Sequence, residues 1–490
     1  MFLCAFKKAV IRKWTVIIFL LICTSDYPAF AASHMDQVAS GIDSLPLPRE
    51  LRYPPLNFRI PDANRTLLEN GTILYSTENR ELPLVDVTLV VRMGSDNDPQ
   101  NKAGLAELTG RALRIGGVAG MSGAAVDEAL EKIAADLSVT VNQDYTVIHL
   151  SVLGKDLESG LALLAKIIMK PAFEEARIRL EKDLKVEDLR RIADDPQRLC
   201  FREFRRLFYS DNPRGNLPTL SSVLSIQRND IIEFYRKFFF PKNIMIAVTG
   251  DISSLEATSV TRRHLSSWSV NQTPQVVLPA PKVHKSGLFF IKKDISQAII
   301  VSGRLAPAKA QVDAYPFAVL DFIVGSGGFR SRIFHEVRSK RGLAYSTGSF
   351  YNQKQTYGLF VTYAFTKPES TLEVTNLIQS ILDNYSKNPA EVDELRFAKD
   401  SISSSFIFSF TTADQATSQR LMVEFDGLPD DYLEAYRDRI EKVTKEDIRR
   451  VYSHYLSKGE GALTLILGPE SAYQDIRKYF SDVHVIEPIY

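Results

Sequence analysis

The residues with the most chemical potential fall in two short segments. In the first, VRMGSDNDPQNKAGLAELTGRALRIGG over 91–117, Glu107, Gly110 and Arg111 stand at i, i+3 and i+4 of a helix predicted over 103–115, so they share one face. Glu107 and Arg111 carry opposite charges one turn apart, a spacing that suits a salt bridge. The second segment, GSGGFRSRIFHEVRSKRGLAYSTGSF over 325–350, holds Arg338 and Tyr345. Its glycines suggest a phosphate loop, but no Gly-Lys-Ser/Thr ending follows, so that reading is poor. Taken alone, Arg338 suits pairing with Glu336 or a backbone carbonyl, and Tyr345 suits packing in a strand. The histidines are His34, His149, His264, His284, His335, His454 and His484. No two lie at ligand spacing, so each suits an ordinary structural or surface role.

A mixed scaffold must position these segments. Residues 84–93 alternate, with Val85, Val87, Leu89 and Val91 on one face, as a half-buried strand should. Residues 244–248 and 463–467 are short apolar runs, also strand-like. Residues 153–169 carry apolar side chains at helical spacing. Residues 174–192 predict a highly charged amphipathic helix whose charges form a solvated face. Strands and helices mixed within each half predict an α+β fold, with one face of each sheet covered by helices. The halves also repeat each other. PAFEEARIRLEKDL from Pro171 matches PAEVDELRFAKDSI from Pro389. Asp230, Ile231 and Tyr235 match Asp447, Ile448 and Tyr452, and Gly250 matches Gly468, at offsets of 217 or 218. A nearly constant offset across separate segments points to duplication.

The chain has 490 residues, too many for one ordinary core. Its net charge of +1 gives no global field toward nucleic acid or acidic lipid. Lys7, Lys8, Arg12 and Lys13 precede an apolar run over 14–23 and then Ala29-Phe30-Ala31. This order predicts a signal peptide over 1–31 and a mature chain secreted across the inner membrane to the periplasm, with no stable membrane insertion after cleavage. An uncleaved anchor is the competing reading. Cys4 and Cys23 fall in that segment, which leaves Cys200 and no internal disulfide. Residues 32–54 read as an extended lead-in. The segment 271–286, NQTPQVVLPAPKVHKS, has three prolines and reads as a linker between domains over 55–270 and 287–490.

The first segment, with its strand, Gly94-Ser95, loop and Gly104-Leu105-Ala106, resembles the pitrilysin/insulinase family of zinc peptidases, which includes the mitochondrial processing peptidases. The second resembles the same family's C-terminal half through Ser331-Arg332 and the RxxxGLAY pattern from Arg338 to Tyr345. The resemblance spans roughly 55–485. It implies two duplicated α/β-roll domains of the processing-peptidase type, facing each other like clam shells.

In the family, a His-x-x-Glu-His motif binds zinc and activates water. Glu107, Gly110 and Arg111 stand at its positions here, and Glu187 or Asp188 stands where a downstream acidic ligand belongs. The resemblance therefore implies a degenerate zinc motif, no metal in this chain, and zinc in a partner subunit. It implies that Arg338 and Tyr345 donate to a peptide carbonyl and a developing oxyanion. The implied function is a non-catalytic, substrate-binding subunit of an exported heteromeric zinc metallopeptidase acting on peptides or unfolded polypeptides. The zinc-bearing subunit would be its heterodimer partner. The alternative is a peptidase-derived peptide-binding or scaffold protein of the cell envelope with no proteolytic role.

Overall fold

The computed structural model describes residues 58–490, apart from 211, 271, 275–277, 282–285 and 458–461. The expected signal segment over 1–31 and lead-in over 32–54 lie outside the described residues, as does part of the expected linker. Arg59–Tyr490 packs as one unit. No helix among the described residues is long and apolar enough to cross a membrane.

The first half builds a six-stranded sheet from β1 (Asn64–Leu67), β2 (Ile73–Glu78), β3 (Leu84–Val91), β4 (Asp136–Val141), β5 (Thr146–Leu153) and β6 (Ile244–Gly250). The second half builds another from β7 (Gly287–Lys292), β8 (Ala298–Ala306), β9 (Ala344–Gln353), β10 (Gly358–Thr366), β11 (Leu463–Gly468) and β12 (Val483–Val485). The strand orders are β1-β2-β6-β3-β5-β4 and β12-β7-β11-β8-β10-β9. Five strands correspond one to one. In each set the β2–β6 or β7–β11 pair is parallel and the other pairings are antiparallel. Only the outer strands differ: β1 runs antiparallel to β2, whereas β12 runs parallel to β7.

Eight helices carry the argument. The first half supplies α1 (Leu105–Ile115), α2 (Glu175–Arg190), α3 (Pro196–Phe208) and α4 (Arg228–Phe238). The second supplies α5 (Ala314–Asp321), α6 (Val392–Ile407), α7 (Ala413–Phe425) and α8 (Lys445–Tyr455). The pairs α2/α6, α3/α7 and α4/α8 have equal lengths of 16, 13 and 11 residues. Each pair is offset by 217 residues. The repeat seen in the sequence is a repeat of architecture.

The two sheets depart from the expectation of one covered face. One face of the first sheet, with Leu74, Val85, Val87, Leu89, Ile148 and Ile246, joins the main apolar core. The opposite face, with Tyr75, Val90, Met245 and Ala247, is covered by Leu421 and Phe425 of α7, which the second half sends across. Strand β3 is therefore buried on both sides from Val87 onward, not half-buried. The exchange is reciprocal. Helix α3 of the first half lies on β8 and β11 of the second. There the Phe204 ring occupies the space that a Cβ at Gly303 would need.

Polar groups fix the exchanged helices. Glu424 of α7 accepts from Arg65 Nε and Nη2, each at 2.7 Å, and from the Tyr75 hydroxyl at 2.6 Å. Arg92 donates to the Phe425 carbonyl at 2.7 Å and lies 4.0 Å from the centre of its ring. Within the expected linker, the carbonyls of Leu278 and Pro279 accept from buried Arg214 at 3.1 and 2.8 Å.

Candidate functional site

The first chemical segment is held by the start of α1. Gly104 takes the left-handed conformation at φ 101°, which a glycine adopts without Cβ strain. The Asp98 carboxylate accepts from the Gly104 and Ala106 amides, both at 2.7 Å, and satisfies donors that a helix N-terminus leaves open. Burial pushes Asp98 up to about 7 even against those hydrogen bonds. Helix α1 buries Leu105, Ala106, Leu108, Thr109, Ala112 and Leu113. Glu107 and Arg111 lie on the face turned toward α2.

Helix α2 answers with Glu181, Lys185 and Asp188, at i, i+4 and i+7 of one face. The result is a run of alternating charge. Glu181 accepts from Arg111 at 3.0 Å, and Arg111 donates to Glu107 at 2.9 Å. Glu107 meets the Lys185 ammonium at 2.6 Å, and Lys185 lies 3.6 Å from Asp188. Asp188 closes the run by accepting two bonds of 2.8 Å from Arg198 of α3. The Arg198 guanidinium holds Asp188 below the usual carboxylate range. Three carboxylates alternate with three cations.

The sequence reading put the charges of this helix on a solvated face, and for two residues that is corrected. The side chains of Lys185 and Glu181 keep only 9% and 13% of their exposure. They are spent inside the protein because α1 offers them partners. Neither residue was singled out in the sequence. The available signal was the i, i+4, i+7 spacing of Glu181, Lys185 and Asp188 on a helix next to Glu107 and Arg111. Of the two acids expected downstream, Asp188 joins the run, and Glu187 turns outward to Arg190 at 2.5 Å.

Gly110 lies where α1 crosses the edge strand β4. A Cβ there would come within 2.5 Å of Val141 Cγ2 and 3.2 Å of Val139 Cγ1. A longer side chain fits only if the Val141 side chain moves aside. Among the described residues, no group of three or more His, Cys, Asp or Glu is gathered as for a metal ion. Each acid near Glu107 already has a cation against it. The residues present do not fit a zinc ion.

The second segment is organised differently. Arg338 sits on a π-helical turn, Phe334–Lys340, and Tyr345 is the second residue of the edge strand β9. The Arg338 guanidinium lies 4.3 Å from the Tyr345 ring centre, 4.9 Å from Phe334 and 5.8 Å from Phe329. Tyr345 is 76% exposed and Phe329 73%. The competing pairing of Arg338 with Glu336 does not form, because Glu336 is taken by Lys340 at 3.2 Å and Arg341 at 2.6 Å. Among the described residues, neither the Arg338 guanidinium nor the Tyr345 hydroxyl has a hydrogen-bond partner.

Neighbouring residues hold this turn. Ser331 Oγ donates to the Gly328 carbonyl at 2.8 Å. Arg332 grips Glu394 of α6 through two bonds of 2.8 and 2.7 Å. Phe329 and Phe334, the aromatic flanks of Arg338, were not singled out in the sequence either. Cys200 is fully buried in α3, and burial raises its thiol above the ordinary value.

Comparison with known proteins agrees with this architecture. A family profile described as Insulinase (Peptidase family M16) matches residues 74–218, and one described as Peptidase M16 inactive domain matches residues 225–402. An uncharacterized zinc protease of Mycobacterium bovis is 23% identical over 418 residues, 84% of this chain and 94% of that protein. One from Mycobacterium leprae is 24% identical over 414 residues, 83% of this chain and 91% of that protein. Among solved structures, a peptidase M16 inactive domain from Pseudomonas fluorescens is 25% identical with a TM-score of 0.77, covering 83% of this chain and 98% of that one. The periplasmic protease PqqL from Escherichia coli shares the fold at 14% identity and a TM-score of 0.71, covering 92% of this chain and 52% of that one. With two matched sheets, two matched helix sets and profile matches over most of its length, this chain belongs to the pitrilysin/insulinase family of peptidases, family M16.

Proposed function

We propose that this chain is the non-catalytic, substrate-binding subunit of an exported heteromeric zinc metallopeptidase acting on peptides or unfolded polypeptides. One observation carries the reading. The charged groups at the zinc-motif positions are neutralised by one another, whereas Arg338 and Tyr345 keep their donors free. In this reading a partner subunit with an intact His-x-x-Glu-His motif supplies metal and base. Arg338 and Tyr345 supply preorganised donors to the peptide carbonyl and to the oxyanion that develops on it. Strands β4 and β9 each end a sheet, and in this reading an extended peptide adds as a further strand at such an edge. The order of basic, apolar and small residues over 1–31 supports export to the periplasm, and a structural neighbour is named as a periplasmic protease.

The test is reconstitution with a zinc-bearing subunit of the family. Arg338→Ala is expected to lower peptide cleavage by about 10²-fold, the usual cost of removing an oxyanion donor. Tyr345→Phe, which removes only a hydroxyl, is expected to cost about tenfold. Cleavage unchanged in both variants sinks the clamp. The second reading, a peptide-binding or scaffold protein without proteolytic role, is favoured by the self-contained packing of Arg59–Tyr490. A stable monomer that binds peptide and never pairs would select it.

A further inference from the structure

We infer that Lys185 is the resident cation of the degenerate site: its ammonium stands between the two ligand positions where the family places a metal, and it binds α1 to α2 without one. The side chain reaches from α2 to within 2.6 Å of Glu107 Oε2 and 3.6 Å of Asp188 Oδ2. Glu107 occupies the first ligand position of the motif, and Asp188 is available as the downstream acid. A buried lysine is rare unless it is paired, and this one has a carboxylate on each side. Arg111 and Arg198 cap the outer flanks of Glu107 and Asp188. With three acids against three bases, the run is neutral as it stands. A divalent cation would bring two more positive charges into a site already holding three.

Gly110 makes the arrangement hard to reverse. The family's glutamate position is pressed against Val141 of β4, where even a Cβ comes to 2.5 Å. The second half has the same feature at an offset of 215 residues. There Gly325 meets the equivalent edge strand β9, with Ser349 N only 2.6 Å from where its Cβ would be. A glycine thus stands at the crossing of helix and edge strand in both halves, against backbone in the second and against valine side chains in the first. In the first half a glutamate at 110 needs Val141 to move aside.

The experiment compares Lys185→Met and Lys185→Arg with the parent by thermal midpoint at low and high salt. The Met variant leaves Glu107 and Asp188 facing each other without the ammonium between them. Its midpoint should fall by several degrees at low salt, and by less at high salt, where the exposed flanks are screened. The Arg variant should keep most of the parent midpoint. In parallel, zinc content is measured by mass spectrometry for Glu107→His, Gly110→Glu and Arg111→His combined. With Lys185 in place, that variant should hold no more zinc than the parent. Adding Lys185→Met and Val141→Ala should let it retain zinc. The inference is overturned if Lys185→Met melts with the parent at low salt. It is equally overturned if the restored motif takes a stoichiometric zinc while Lys185 remains. Should the combined variant fail to fold, the single Lys185 variants decide.

Discussion

The two halves share a strand order and a helix set, yet they treat their charged side chains in opposite ways. In the first half, Glu107, Arg111, Glu181, Lys185, Asp188 and Arg198 consume one another. In the second, Glu336, Lys340 and Arg341 pair off and leave Arg338 alone among aromatic rings. The difference teaches what a duplicated scaffold permits. A charge with a neighbour of opposite sign contributes to holding helices together. A charge kept apart from such neighbours stays available to something that arrives later.

The comparison can be broken, or sharpened, by mutation. The largest expected effect is at the two crossing glycines. Gly325→Ala forces a methyl into the backbone of β9 and should cost about 3 kcal/mol, read from denaturant midpoints. Gly110→Ala meets only the side chain of Val141 and should cost about 1 kcal/mol, with most of it recovered on adding Val141→Ala. Equal costs would mean that the two crossings are built alike after all.

Next comes the clasp between the halves. Glu424→Gln weakens the paired bonds from Arg65 and should lose about 1–2 kcal/mol. If it loses none, the exchanged helix α7 is held by packing alone.

A pH-dependent effect belongs to Asp98. Burial raises it from 3.8 to about 7, so the folded chain holds a proton that the unfolded chain has released between those values. Stability should therefore fall as pH rises across that interval, and Asp98→Asn should flatten this part of the profile in thermal melts. Glu424 and Asp188, held low by Arg65 and Arg198, give the opposite slope in more acid solution. The smallest effect is expected at Arg190→Ala. Its pair with Glu187 is more than half exposed and lies outside the run, so the unfolding free energy read from denaturant melts should change by no more than about 0.5 kcal/mol.

Much of this was legible in the residues. The offsets of 217 and 218 between Asp230 and Asp447 or Gly250 and Gly468 correspond to the aligned helices and strands, because duplication preserves spacing. The bond between Glu107 and Arg111 follows from helical geometry alone. What stayed hidden depends on which element meets which. Nothing in ADQATSQRLMVEF says that α7 will lie on the far sheet, so Thr88 and Val90 read as the solvent side of β3 and prove buried. Lys185 reads as a surface lysine for the same reason: its partner is 78 residues away in the chain. The π-helical turn under Arg338 has no simple signature in the sequence.

The reciprocal loan of α3 and α7 has a consequence for how this molecule can come apart. Each half completes the other's sheet with a helix of its own, so the peptide bonds between residues 270 and 287 are not what unites them. A protease that cuts there should yield two fragments on a denaturing gel and one particle on a sizing column. Neither half could leave without stripping the cover from both sheets.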